Sequence, residues 1–434
     1  MLPRALLLPL CALSLARAQP CLPLLPPAPA LLWGAQYSAP SSPAAANRTS
    51  ALWGQVLGAG GRLFQLSLPW AAVEPTPGQP NIELVAQLLE EVRSVNGIPL
   101  FNLALIDTNR VTLPPDLMDP SDNTRLRAGL NFSSPEVMDR YAGLVQALAP
   151  LVAYYGGPFW GTGNEVDVLM GEHPEYAIPF VDFTIAFQAY IKRLTAPNPL
   201  AVGATLTVAG LGQLAAAPPP WLTALLLYAD VTPLTYYPLQ GDFALQADAA
   251  VVHQQVLLAA SALPPGRCTV FQEFGAPAGY GNASSTDGSS EALQAAFLAD
   301  FMERVPQLLA AAGHPLRAAS LFEFVDMENC AAVAPQYNST APAFIEYLWC
   351  VGLCCALRAA APSPPATSAL KHSHQAPPHA PLPALQHARH CQGLWRTQAG
   401  LQHLSRSRQG GGGVRRAQRT ALYRPIFCEI PCRL

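Results

Sequence analysis

Charge is scarce in this 434-residue chain, where Asp, Glu, Lys and Arg together make up 12%, about half of the ~25% found in ordinary domains. That scarcity excludes a coiled coil, an acidic disordered chain and a nucleic-acid-binding domain built on dense Lys/Arg. Histidine is equally thin before the C-terminal region: only His173, His253 and His314 occur, far apart and never as an HxH pair. A metallohydrolase needs several imidazoles, so no metal centre is predicted. There is no GxSxG elbow and no GxxxxGK[ST] loop, and the clusters GAGGRL and GYGNAS lack the third glycine of a dinucleotide fingerprint. No cofactor is predicted. Cysteine is too sparse for a disulfide scaffold: Cys21, Cys268, Cys330 and Cys350 stand in the body with no CxxC among them. Their pairing stays open.

Half of the residues are apolar, enough for a large core. The net charge of −3 conceals two unlike regions. Residues 19–357 hold 12 basic against 27 acidic residues, a net of −15, whereas residues 358–434 hold 11 basic residues and the single acid Glu429, a net of +10. The first 18 residues set Arg4 before an apolar run, Ala5 to Leu15, and end in Ala16-Arg17-Ala18. That is the pattern of a secretory signal peptide, and the run is too short to span a bilayer. Four sequons, at Asn47, Asn131, Asn282 and Asn338, fit a secreted glycoprotein. The apolar piece Tyr347 to Leu357 is also too short to cross a membrane, so no stable membrane insertion is predicted. The expected organisation is a signal peptide at 1–18, a catalytic-type domain at 19–353, and a low-complexity basic tail at 354–434 that reads as disordered.

Within 19–353 short β-rich runs alternate with helical patterns. The runs cover 31–38, 62–70, 98–107, 159–165, 200–208, 230–239, 268–275 and 319–327. Helix starts between them include Ser134-Pro135-Glu136, followed by Val137, Tyr141, Leu144, Val145 and Leu148 on one face. Ser290-Glu291 opens another helix, with Leu293, Phe297 and Phe301 on one stripe. Eight strand-then-helix units predict an α/β fold, a closed (β/α)8 TIM barrel, with an open doubly wound sheet as the alternative. In such a barrel the strand C-termini carry the chemistry.

Glu165 ends the fourth run in GTGNEVD and Glu273 ends the seventh in VFQEFG. Two carboxylates at one barrel mouth are the machinery of glycoside hydrolysis, one as proton donor and the other as nucleophile. Asn164 can bond a sugar hydroxyl, Tyr236 or Tyr237 can donate to a carboxylate, and Trp33, Trp70 and Trp160 can stack on sugar rings, with plain core packing the equal alternative for Trp70 and Trp160. Asp107, at the third strand end, and Glu323 or Asp326 at the eighth are further cleft candidates, with helix capping or pairing with Arg as the favoured reading. His173, in MGEHPEY, reads as a surface-loop histidine.

On Asn164-Glu165 within GTGNEVD, Glu273 within FQEFG, and the stretch LPWAAVEPTPGQPNIELVAQLLEEV, the chain resembles clan A of the retaining glycoside hydrolases over residues 30–353. The resemblance implies a secreted (β/α)8 enzyme with Glu165 as acid/base, Glu273 as nucleophile, Asn164 on the sugar 2-hydroxyl and Tyr236 or Tyr237 bonded to the nucleophile. It also implies a β-linked carbohydrate substrate and places the protein outside the cell or in the cell wall. Where many members carry an Arg on strand two and a Trp on strand eight, this chain has Gln65 and Phe322 or Phe324. The competing reading is a non-catalytic carbohydrate-binding or wall-associated glycoprotein on the same barrel. No protein partner is indicated.

Overall fold

A computed structural model of the chain describes residues 31–37, 50, 53–239, 245–276 and 290–322. Eight parallel strands form its centre: β1 (Leu32–Gln36), β2 (Leu63–Pro69), β3 (Ile98–Ala104), β4 (Phe159–Gly161), β5 (Ala201–Gly203, resuming at Leu206–Thr207), β6 (Thr232–Tyr236), β7 (Thr269–Phe274) and β8 (Leu316–Leu321). Each pairs with its neighbour in sequence, and β1 also pairs with β8. β5 makes the closure. Its first half pairs with β4 and its second half with β6, so the sheet has no free edge and is a barrel. Gly203 lies at this seam, where a Cβ would stand 2.0 Å from the carbonyl oxygen of Val231. Any side chain there would force β5 and β6 apart. The open doubly wound alternative is thereby excluded.

The surrounding helices are α1 (Ile82–Ser94), α2 (Pro135–Tyr154), α3 (Val166–Glu172), α4 (Ala177–Leu194), α5 (Val208–Leu214), α6 (Pro220–Tyr228), α7 (Ala249–Ser261) and α8 (Glu291–Ala311). The predicted apolar stripe of α2 is buried as read, from Val137 to Leu148. Pro135 occupies its first position, where the missing N–H costs nothing. Ser134 is the N-cap by position only. Its hydroxyl turns back to Asn131, whose Oδ1 accepts from Ser133 and Ser134. At α8 the expectation holds fully, since Ser290 Oγ accepts from the Leu293 amide and Phe301 is completely buried.

Strand boundaries differ from the sequence reading by up to four residues, and β3 and β6 each stop three residues short of the predicted run. β8 starts at Leu316, three residues before the predicted run, because LRAASL presents Arg and two alanines and so lacks an apolar signature. β4 ends at Gly161, four residues before the predicted end, although Asn164 still makes a parallel bridge to Asp107 and Glu165 caps α3. The signal peptide, the tail, Glu323, Phe324 and Asp326 lie outside the described residues. So do the sequons Asn47, Asn282 and Asn338. No helix among the described residues is long and apolar enough to cross a membrane.

The barrel interior is layered. Leu63, Leu100, Phe159, Ala201, Val231 and Ala318 fill an apolar floor, one from each of six strand regions. Above it, toward the strand C-termini, sit Gln65, Asn102, Thr205, Thr235, Gln272 and Ser320, all buried. Buried polar groups persist only where they are hydrogen-bonded, and this upper layer carries the candidate site.

Candidate active site

Glu165 and Glu273 converge over the polar layer, held by different partners. The hydroxyls of Thr235 and Thr108 donate to Glu165 Oε1 at 2.6 Å and Oε2 at 2.9 Å. Tyr237 donates its phenolic O–H to Glu273 Oε2 at 2.9 Å, and the Gln65 amide donates to Oε1 at 3.0 Å. Ser320 in turn donates to Gln65 Oε1 at 3.0 Å. Burial raises both carboxyl pKa values, Glu165 to about 7 and Glu273 to about 8. The Glu165 charge raises Glu273 further, and Asp107 pushes both the same way. Like charges held this close ionise one at a time.

Glu165 has left-handed backbone geometry, with φ at 48°, a conformation that a side chain adopts at a cost. Neighbouring backbone bonds hold it there: Thr108 N to Asn164 O, Asn164 N to Ile106 O, and Val166 N to Thr205 O. Thr108 shares the left-handed conformation, with φ at 59°.

The two tyrosine candidates separate cleanly. Tyr237 is the partner of Glu273, whereas Tyr236 points outward, stacks on Phe301 and donates to Gln255 Oε1. This follows from strand alternation, which sends successive side chains to opposite faces. Asn164 is in the site, buried, donating to Asp107 Oδ1 at 3.4 Å and accepting from Gln272 at 3.0 Å. Asp107 also belongs there, gripped by Arg110 through Nε and Nη2. Phe322 packs edge-on against Tyr237 at 5.6 Å, putting an aromatic ring beside the nucleophile candidate.

For Trp70 and Trp160 the core-packing alternative holds. Trp70 is fully buried beneath the mouth, its ring edge-on to Tyr141 and its indole N–H donating to Glu74. Glu74 also accepts from the Gly78 amide and from Arg140, which bridges to Asp116. The Trp70…Glu74…Gly78 order therefore builds a clamp between β2 and α2. Trp160 is equally buried and donates to the Tyr141 hydroxyl. Trp33 sits on the helix side of β1, next to Gly61. Large apolar rings are drawn to the core unless something holds them out. Trp70→Phe is expected to lower unfolding free energy by about 1–3 kcal/mol, by orphaning a buried acceptor, with KM for any substrate unchanged. A denaturant titration beside steady-state kinetics checks both halves.

His173 also departs from its reading. It is buried and joins Thr124 at 2.9 Å and Glu175 at 3.2 Å, fastening the loop after β3 to the one after α3. Sequence reasoning missed Thr108, Thr235 and Gln272; hydroxyls and amides at strand ends carry no signal until topology brings them together. A cavity of about 780 Å³ opens beside Arg110, bounded by Pro69, Leu113, Met118 and Thr124. No group of three or more metal-ligating side chains occurs among the described residues.

The class this defines is a closed (β/α)8 barrel with a hydrogen-bonded glutamate pair at the C-terminal ends of its fourth and seventh strands. Solved structures share the fold. A GH5_18 protein from Bifidobacterium longum subsp. longum, in complex with Manβ1-4GlcNAc, aligns with a TM-score of 0.54 at 14% identity, over 75% of this chain and 74% of its own. An exo-β-1,4-mannosidase from an Opitutaceae bacterium gives 0.50 at 15% identity over 72% of this chain, which spans 55% of that enzyme's length. No family model and no curated protein sequence matches the chain.

Proposed function

We propose that the protein is a secreted retaining glycoside hydrolase acting on a β-linked poly- or oligosaccharide, with Glu165 as acid/base and Glu273 as nucleophile. The observation that carries this reading is the paired, mutually repelling carboxylates, each fixed by two donors on a closed barrel. Glu273 attacks the anomeric carbon while Glu165 protonates the departing oxygen. Glu165, again a carboxylate, then takes a proton from water as that water displaces Glu273 from the sugar. Strain at Glu165 favours catalysis over passive binding, because a binding platform has no use for a fixed proton donor. The exo-β-1,4-mannosidase among the similar folds agrees with a β-glycoside.

Proton placement needs one further step. Burial first and the Glu165 charge second push the Glu273 carboxyl up, and Gln65 lends it a hydrogen bond but no positive charge. A substrate hydroxyl donating to Glu273 favours its ionised form and moves the shared proton to Glu165. Secretion rests on the N-terminal pattern and on Cys268, which is disulfide-bonded, a bond that persists in oxidising compartments.

The test is a panel of neutral aryl β-glycosides and β-linked oligosaccharides, with the anomer of the first-formed product read by proton NMR. Release of the β-anomer supports the retaining route. Release of the α-anomer would overturn the nucleophile role, and inactivity with retained glycan binding would favour the non-catalytic reading.

A further inference from the structure

Two consecutive residues of β7, Gln272 and Glu273, both turn their side chains into the barrel. Strand alternation forbids this unless the strand is bulged, and the pairing shows the bulge. On the β6 side Leu234 faces Phe271 and the next residue, Thr235, faces Glu273, so Gln272 is the extra residue. The β8 side is irregular over the same stretch, between Phe271 and Phe274. Gln272 is fully buried, and both ends of its amide are engaged: Nε2 donates to Asn164 Oδ1 at 3.0 Å, and Oε1 accepts from the Thr205 hydroxyl at 2.7 Å.

We infer that Gln272 and Thr205 are positioning residues that fix which way round the Asn164 amide faces, and that they thereby select sugars whose 2-hydroxyl accepts a hydrogen bond. The inference rests on the glycosidase reading for its ligand class and on the geometry for its direction. Arg110 donates twice to Asp107 Oδ2, leaving Oδ1 of an acceptor-only carboxylate to face Asn164. Asn164 must therefore turn its NH2 toward Asp107 and its oxygen toward Gln272. Gln272 then has to present its own NH2 to that oxygen, which leaves Oε1 for the Thr205 hydroxyl. Reversing Asn164 would set its carbonyl oxygen against the Asp107 carboxylate, and reversing Gln272 would set two amide oxygens against each other. One ion pair at the mouth thus sets the polarity of a relay that ends in the barrel interior.

Thr205 also acts through its backbone. Its N–H donates to Gly163 O, and its carbonyl accepts from Val166 N, so it brackets Asn164 and Glu165 from both sides. Among the described residues Asp107 is the acceptor for one Asn164 N–H, and the second N–H is the one offered to a ligand. A hydroxyl oxygen accepts it, whereas an ammonium group at the same carbon has only donors to present.

The experiment compares paired glycosides of the sugar configuration that the wild type handles best, with and without the 2-hydroxyl, in wild type, Gln272→Leu, Gln272→Glu, Thr205→Val and Thr205→Ser. Thermal melts first establish which variants fold. Gln272→Leu and Gln272→Glu are each expected to lower kcat/KM for the 2-hydroxyl substrate by about 30-fold and for the 2-deoxy partner by less than about twofold. Thr205→Ser should keep the wild-type ratio, and Thr205→Val should lose most of it. Iminosugar binding by calorimetry, again with and without the 2-hydroxyl, makes the same comparison independently of turnover, with about a tenfold affinity loss expected for the hydroxylated ligand only. Equal losses on both partners, or none, would overturn the relay. Failure of the parent reading looks different: Glu273→Ala would stay active, or the wild type would bind neither ligand, which also removes the relay's ligand class.

Discussion

Glu273→Gln is expected to lower kcat by about 10⁴-fold or more and, in the same molecule, to raise the melting temperature at neutral pH. The loss follows from removing the atom that bonds to the anomeric carbon, since a carboxamide is too weak a nucleophile to replace it. The gain follows from burial. Desolvation first, and the Glu165 charge second, lift the Glu273 carboxyl to about 8 from its ordinary 4.5. Between those two values the folded protein holds a proton that the unfolded chain has released. Wild-type stability therefore falls as pH rises through this window.

Glutamine carries no charge and removes this dependence. The neighbouring groups can accept it: the Gln65 amide can turn over to take the new N–H, while the Ser320 hydroxyl rotates from donor to acceptor. The stability advantage of the variant should be small at pH 5 and grow to a few kcal/mol at pH 8, or several degrees in Tm. Melts at four pH values between 5 and 8 measure it. A constant difference would mean that the buried carboxyl titrates normally, and full activity would remove Glu273 from the chemistry.

The barrel and its two glutamates were legible because each has a local signature. Eight apolar runs separated by capped helices state the strand order, and a Glu closing the fourth and seventh runs states where the carboxylates stand. What surrounds them was not legible. The bulge at Gln272 depends on how β7 meets two neighbours, and no feature of VFQEFG marks it. Thr108 and Thr235 are common residues that matter only because strands three and six end on either side of Glu165. The tryptophans misled for the opposite reason. Trp70 and Trp160 look like sugar platforms by residue type and position, yet Glu74 and Tyr141 supply acceptors that let each indole be buried without an orphaned N–H. Strand parity could have separated Tyr236 from Tyr237, and it could have placed Trp33 on the helix side. Parity counted from Glu273 alone would have failed, because the bulge shifts the count by one.

Glu165→Ala should produce a loss that depends on the leaving group, which distinguishes a proton donor from any other role at the same place. For a sugar or alkyl leaving group, where departure requires protonation, kcat/KM is expected to fall by about 10²–10⁴-fold. For a dinitrophenyl glycoside the departing anion is stable without a proton, and the first step should be nearly unimpaired. The second step still needs a base, so the glycosyl-enzyme accumulates and a burst of dinitrophenol precedes a slow steady state. Azide carries its own nucleophilic charge and needs no base. It fits the space vacated beside Thr108 and Thr235, and should restore turnover by attacking the anomeric carbon and displacing the Glu273 carboxylate as a β-glycosyl azide. The pH profile carries a second signature. In the wild type the basic limb reports loss of the last proton of a pair whose members are raised to about 7 and about 8. In Glu165→Ala that shared proton has no second host, and relief from the Glu165 charge lowers the Glu273 carboxyl. The basic limb should therefore vanish, while the acid limb moves to lower pH. A uniform loss across leaving groups with both limbs retained would assign Glu165 to binding alone.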